Sequence, residues 1–200
     1  MYERVVVISP TREEIAPFAE SGPGDGVTVV VAGVGMAETA EAVRRALAEL
    51  SPSMIILAGI AGRYSGSVLK AGDAALVERE CVADLGAMRE DGFEPLFRKD
   101  YICPFAAAID GFPKAVANTV SAAAAPFANL PHTTRPHPQA DLENMEGAAF
   151  FAMCLGAGIP FLELRCISNT VGDAPAEWNI PLATANLAGA LGRLLQAIAK

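Results

Sequence analysis

Positive charge is scarce in this chain, and basic residues cluster nowhere. Lys and Arg number 15 against 23 Asp and Glu, for a net charge of −8. Nucleic acid and anionic membrane surfaces both demand basic patches, so neither is expected as a partner. Long hydrophobic runs are missing too. The longest, "VTVVVAGVG" and "MIILAGIAG", are short and contain glycine, so they read as buried strands and not as membrane spans. Histidine is rare: His132 and His137 sit in the Pro-rich segment "PHTTRPHPQ", far from any cysteine. Cys81, Cys103, Cys154 and Cys166 show no CxxC spacing. No metal site is expected from such a set, and reduced structural cysteines suit the cytoplasm. The N-terminus "MYERVVVISP" enters a strand almost at once, leaving no room for a signal peptide.

What is present is a packed composition. Hydrophobic residues make up 52% and charged ones 19% of 200 residues, which excludes a disordered chain and fits one domain spanning 1–200. Strand-like and helical runs alternate. "RVVVIS" (4–9), "VTVVVA" (27–32) and "SMIILAGI" (53–60) are apolar without alternation, and "GVGMAETAEAVRRALAEL" between the last two has helical period. Unalternating strands joined by helices predict a sheet covered on both faces. The middle predicts strands at 72–80, 101–105 and 115–122, separated by loops rich in Gly, Pro and Asp. A helix over 146–158, a strand over 160–168 and a final helix over 182–199 follow. The expected architecture is α/β: a single three-layer domain with a mixed central sheet flanked by helices.

Open α/β sheets bind ligands beyond the C-terminal ends of their strands, so the turns there are the candidate sites. "GVGMAE" is not a dinucleotide fingerprint, because Glu38 stands where a third glycine belongs; no cofactor is expected. "SPTREEI" offers Glu13 and Glu14, although Thr11 with Glu14 also reads as a capping box. "NMEGAAFF" places Glu146 ahead of an apolar run, either as a helix cap or as a carboxylate held inside a pocket. "FLELRCISN" sets Arg165 among apolar neighbours, where its guanidinium must find a carboxylate or polar ligand. Glu163 can supply one from the same face of the strand.

Taken in order, "LAGIAG" (57–62), "NMEGAAF" and "LRCISN" resemble the nucleoside phosphorylase and nucleosidase superfamily. Within it, "ADLGAMREDGFEPL" (83–96), "NTVS" (118–121), "LENMEGAAFF" (142–151), "ISNTVG" (167–172) and "EWNIPLA" (177–183) are similar to the futalosine hydrolase family of the alternative menaquinone pathway. The resemblance spans nearly the whole chain. It implies hydrolysis of the N-ribosidic bond of a purine nucleoside, futalosine, to hypoxanthine and dehypoxanthine futalosine. Glu146 would accept hydrogen bonds from ribose hydroxyls, and Met145 would pack on the sugar. Ala61 and Gly62 would bring backbone beside sugar or base. Glu14, with Glu13 as the close alternative, would activate the water.

One departure separates this chain from adenine-acting nucleosidases. They carry Asp after Ile-Ser to protonate N7, whereas here Ser168 is followed by Asn169. An amide donates a hydrogen bond but is no Brønsted acid at neutral pH, so it suits a 6-oxopurine. Asp173 is then a candidate proton source, or else an exposed loop acid. Trp178, the only Trp, is a lid over base or substrate arm, or a core aromatic. No one of Arg12, Arg63 and Arg98 stands out as the partner of the substrate's carboxylate. Relatives pair as dimers or higher assemblies, so a homo-oligomer is expected, with residues 79–100 the segment to cross over. The rival expectations are a methylthioadenosine/S-adenosylhomocysteine or aminodeoxyfutalosine nucleosidase, a purine nucleoside phosphorylase, and a non-catalytic nucleoside-binding protein.

Overall fold

The structure is a computed structural model and describes residues 3–96, 99–123 and 139–199, with the backbone alone at Met88. His132, His137 and Arg98 lie outside the described residues. The elements run β1 (Val5–Ser9), α1 (Arg12–Glu20), β2 (Val27–Val31), α2 (Met36–Leu50), β3 (Met54–Arg63) and β4 (Ala74–Val82). The hairpin β5 (Gly86–Arg89) and β6 (Gly92–Pro95) follows, then β7 (Asp100–Ile102) and β8 (Lys114–Thr119). The chain ends with β9 (Leu142–Asn144), α3 (Gly147–Ala157), β10 (Phe161–Thr170) and α4 (Ile180–Ile198).

The sheet is mixed and curls on itself. β2, β1, β3 and β10 pair in parallel, β10 meets β4 antiparallel, and β4, β8 and β9 continue in parallel. β9 then pairs antiparallel with β3, so β3, β10, β4, β8 and β9 form a closed ring. Closure leaves β3 and β10 covered on both faces, which is why "MIILAGI" and "FLELRCISN" carry no alternation. The expectation of burial fails for β2. It is an edge strand of half-buried and exposed positions, and Val31 is 47% exposed, because no strand among the described residues pairs beyond it.

Helix α2 buries Thr39, Ala42, Val43 and Ala46, the i, i+3, i+4, i+7 stripe of a helix with one face on the sheet. Helix α3 is apolar all round and packs against α2. Its Phe150 and Phe151 meet Phe161 of β10 edge-to-face, with centroids 5.6 and 4.9 Å apart. Each such ring contributes about 1.5–3 kcal/mol from burial. On the other side α1 packs against α4. Asn179 caps α4 by accepting from the Leu182 N–H. No helix among the described residues is long and apolar enough to cross a membrane. Strand β9 was not foreseen: three residues flanked by Asp and Met show no strand period.

Candidate active site

Helix α3 begins at the mouth of the ring, and how its first turn is satisfied decides the role of Glu146. A helix start leaves backbone N–H groups without intrahelical acceptors. Here Asn144 Oδ1 accepts from the N–H groups of Glu146 at 2.9 Å and Gly147 at 2.7 Å, and Thr119 Oγ1 accepts from that of Ala148 at 2.7 Å. The cap is therefore supplied from β9 and β8. Glu146 stands at the N-cap position but makes no capping bond with its side chain. Its Oε1 accepts from the Gly35 N–H at 3.0 Å, and its Oε2 lies 3.1 Å from Arg165 Nη2. The carboxylate lines a cleft while being almost wholly buried.

Arg165 is fully buried and satisfied by a set of acceptors converging from three strands. Nε donates to Glu163 Oε1 at 2.7 Å, Nη2 to Asn144 Oδ1 at 3.1 Å, and Nη1 to the Ile60 carbonyl at 3.3 Å. Glu163 does pair from the same face of β10, as its i−2 spacing implies. Behind it stands Glu80, which accepts from Thr119 Oγ1 at 2.9 Å and closely from Asn144 Nδ2. Burial, and then the negative Glu163, push the Glu80 carboxyl well above the usual range. Glu163 shares a side-chain hydrogen bond with Glu80, which favours a proton held between the two carboxyls. The space is tight: a Cβ on Gly147 would lie 1.9 Å from Glu80 Oε1 and 2.7 Å from Glu163 Oε2.

The turn after β1 carries the second carboxylate. Thr11 caps α1 by accepting from the Glu14 N–H at 3.2 Å and donates its hydroxyl to Glu14 Oε1 at 2.8 Å. The capping residue and the pocket acid are thus one arrangement. Glu14 Oε2 accepts from the Ile60 N–H at 2.8 Å and lines the same cleft as Glu146. Burial raises its carboxyl above the usual range, opposed by the Ile60 N–H, the Thr11 hydroxyl and Arg165. Glu13 is exposed and does not line the cleft.

The end of β10 closes the other side. A β-bulge falls at Ser168, between Ile167 and Asn169, and bulges re-aim side chains. Asn169 Nδ2 donates to the Thr170 carbonyl at 2.9 Å, while Oδ1 accepts from Ser168 Oγ at 2.7 Å. A carbonyl can only accept, so the amide orientation is set. Its second Nδ2 hydrogen takes no part in these two bonds, and the residue lines the cleft. Ala61, Gly62, Met145, Ser168 and Trp178 line the cleft with it. Trp178 also donates from Nε1 to the Asp173 carbonyl at 3.2 Å, which ties it to the turn that follows β10. Asp173 itself is not on the cleft lining: its Oδ2 accepts from the Thr170 N–H at 2.7 Å. Arg165 reaches the site from behind, pairs with Glu146 and acts on Glu14 through its charge.

Four residues of this arrangement escaped the sequence reading. Glu143 lines the cleft, and Asn144, Thr119 and Glu80 build the support behind Glu146. Glu143 and Asn144 stand inside the quoted "LENMEG", two polar residues before Met145, which was the available signal. Thr119 stands inside the quoted "NTVS" but with no hint of this task, and Glu80, on a distant strand, gave no signal.

The fold and the cleft define a class. A sequence profile described as the phosphorylase superfamily matches residues 128–200. The structure superposes on 5′-methylthioadenosine/S-adenosylhomocysteine nucleosidase from Neisseria meningitidis with a TM-score of 0.78 at 19% identity, covering 97% of this chain and 99% of the other. Futalosine hydrolase from Helicobacter pylori gives 0.76 at 16% identity, covering 98% and 97%. In sequence, the chain is 32% identical over 216 residues to futalosine hydrolase of Thermus thermophilus, covering 95% of this chain and 94% of that one. The chain belongs to the futalosine hydrolase family.

Proposed function

We propose that this chain hydrolyses the N-ribosidic bond of futalosine, releasing hypoxanthine and dehypoxanthine futalosine in menaquinone biosynthesis. One observation carries the reading: Glu14 and Glu146 share one cleft with an Asn169 whose amide is oriented as a donor. Breaking such a bond passes through a sugar with oxocarbenium character. Ionised Glu14 takes a proton from a water, whose oxygen bonds to C1′. The C1′–N9 bond breaks, and its electron pair leaves with the purine. Glu146 accepts from the ribose hydroxyls, and its negative charge lies beside the positive sugar. Met145 packs on the sugar, and Ala61 and Ser168 line its surroundings. Asn169 donates to O6 or N7 of the departing hypoxanthine. Trp178 covers the base or the substrate's aryl arm. Arg165 sets the position of Glu146, while Thr11 and the Ile60 N–H set that of Glu14. Asp173 enters only by fixing the turn that follows Asn169, so the purine takes its proton from solvent and Glu14 returns to solvent the proton it took from the water.

The four cysteines are buried and form no disulfide among the described residues, which supports a reducing compartment, the cytoplasm. A homodimer or larger homo-oligomer is proposed on the exposed Val31 and Val34, the latter at the lip of the cleft. Light scattering in solution tests it, and a monomer refutes it.

The activity is tested by incubating the protein with futalosine, aminodeoxyfutalosine and methylthioadenosine, with and without phosphate, and identifying the released base. Hypoxanthine from futalosine, independent of phosphate, is the expected result. Preferential release of adenine from methylthioadenosine would overturn the substrate assignment.

A further inference from the structure

Glu143 is a third carboxylate on the cleft, and the mechanism above leaves it without a task. Its place in the sheet is specific. Gly62 of β3 pairs with Glu143 of β9 on one side and with Asn169 of β10 on the other. Residues paired laterally in a sheet project to the same face, so Glu143 and Asn169 flank a gap that Gly62 leaves open. A Cβ on Gly62 would approach both Asn169 Nδ2 and Val171 Cγ2 to 3.2 Å, so the gap is bounded on the β10 side by these two side chains and depends on that glycine. Two strand spacings, about 9.5 Å, separate the flanking backbones. That is wide enough for the edge of a flat bicyclic base between two side chains.

The hydrogen-bond polarity of the two flanks is set by what lies behind them. Cys81 Sγ donates to Asn118 Oδ1 at 3.2 Å, Asn118 Nδ2 donates to Tyr64 Oη at 3.0 Å, and Tyr64 Oη donates to Glu143 Oε2 at 3.0 Å. Each group in this relay has its proton committed toward the cleft. Burial, reinforced by Glu143, holds the Tyr64 hydroxyl protonated far above its usual range. Glu143 is thus the accepting end of the relay, and across Gly62 the Asn169 amide donates.

We propose that Glu143 reads the pyrimidine edge of the base, accepting from N1–H of a 6-oxopurine while Asn169 Nδ2 donates to O6 or N7. Going around that edge, a 6-oxopurine presents a donor at N1 and acceptors at O6 and N7. The row Glu143–Gly62–Asn169 matches it at both ends. A 6-aminopurine in the same seat sets the N1 lone pair against a carboxylate and N6–H against the Asn169 donor. The discrimination is therefore double, and Glu143 carries the half that Asn169 cannot. This assignment rests on the nucleosidase reading of the cleft.

The test compares kcat/KM for futalosine and for its 6-amino counterpart in the parent, Glu143→Leu and Glu143→Gln enzymes. Leu matches the volume without an acceptor, and Gln keeps an oxygen without the charge. The parent is expected to favour the 6-oxo substrate, Glu143→Leu to lose that preference by on the order of 10²-fold, and Glu143→Gln to fall between. Should Glu143→Leu fail to fold, as circular dichroism would show, titration of the parent with free bases decides. Hypoxanthine must then bind at least about tenfold more tightly than 1-methylhypoxanthine, which lacks the N1 hydrogen; equal binding overturns the proposal. A parent that favours the 6-oxo substrate, with a ratio unchanged in Glu143→Leu, overturns the role of Glu143 alone. A parent that favours the 6-amino substrate overturns the proposed function together with it.

Discussion

Replacing Glu146 with Gln separates a carboxylate that caps a helix from one that serves the cleft. The cap of α3 comes from Asn144 and Thr119, so it survives the change. What is lost is the charge facing Arg165 Nη2 at 3.1 Å and one acceptor, because the new amide nitrogen must face either the Gly35 N–H or the guanidinium. Arg165 keeps Glu163 at 2.7 Å and Asn144 at 3.1 Å, and so is not orphaned. The stability cost is therefore smaller than the 3–5 kcal/mol typical of breaking a buried ion pair; about 2 kcal/mol is expected. In a chain of this size that is roughly 4–8 °C in Tm. The rate should fall further. Removing a preorganised group from beside the developing charge costs on the order of 10²–10³-fold in kcat. Initial rates of hypoxanthine release, measured with a thermal melt of the same preparation, give both numbers. A variant with the lowered Tm but a rate within about threefold of the parent would refute the argument, since a merely structural carboxylate behaves that way.

Three further outcomes follow from the same network. Burial raises Glu14, and the base must be ionised, so kcat/KM should fall as pH drops through a value above 4.5; Glu14→Gln should lose on the order of 10²-fold or more at neutral pH. An acid limb unchanged in that variant would assign the titration elsewhere. Gly147→Ala should fail to fold or should melt far below the parent, because its Cβ would meet Glu80 Oε1 at 1.9 Å; a normal melt would refute the packing described. Burial raises the folded Glu80 carboxyl well above its ordinary 4.5, so its contribution to stability is full below that pH and declines as pH rises from there. Glu80→Gln should flatten that slope in denaturant titrations between pH 5 and 8, and an unchanged slope would contradict a raised Glu80.

The architecture could be read early because its strands are apolar without alternation and its helices keep their period. β2 was misjudged for the same reason: "VTVVVA" looks like β3, and nothing local says that a strand has only one neighbour. At the site, Arg165 and Glu163 were legible, since a guanidinium within "FLELRCIS" has to find an acid nearby. The two functions open for Glu14 and for Glu146 could not be separated by sequence. Whether an acid at a helix start caps it depends on what else reaches those N–H groups. For α3 that is Asn144 and Thr119, the latter 27 positions upstream of Glu146. For α1 the capping bond and the cleft position coexist. Glu143 lay in plain view, but its meaning depends on Gly62 and Asn169 standing beside it, a juxtaposition created by the closure of β9 onto β3.

Water is the proposed nucleophile, activated by Glu14 across a cleft from Glu146. The direct measurement is to run the reaction on futalosine in ¹⁸O-labelled water with abundant phosphate and to examine the released sugar by mass spectrometry. One ¹⁸O atom at C1′ of dehypoxanthine futalosine, with no sugar phosphate, is the result predicted. A ribosyl 1-phosphate as the main product would contradict it.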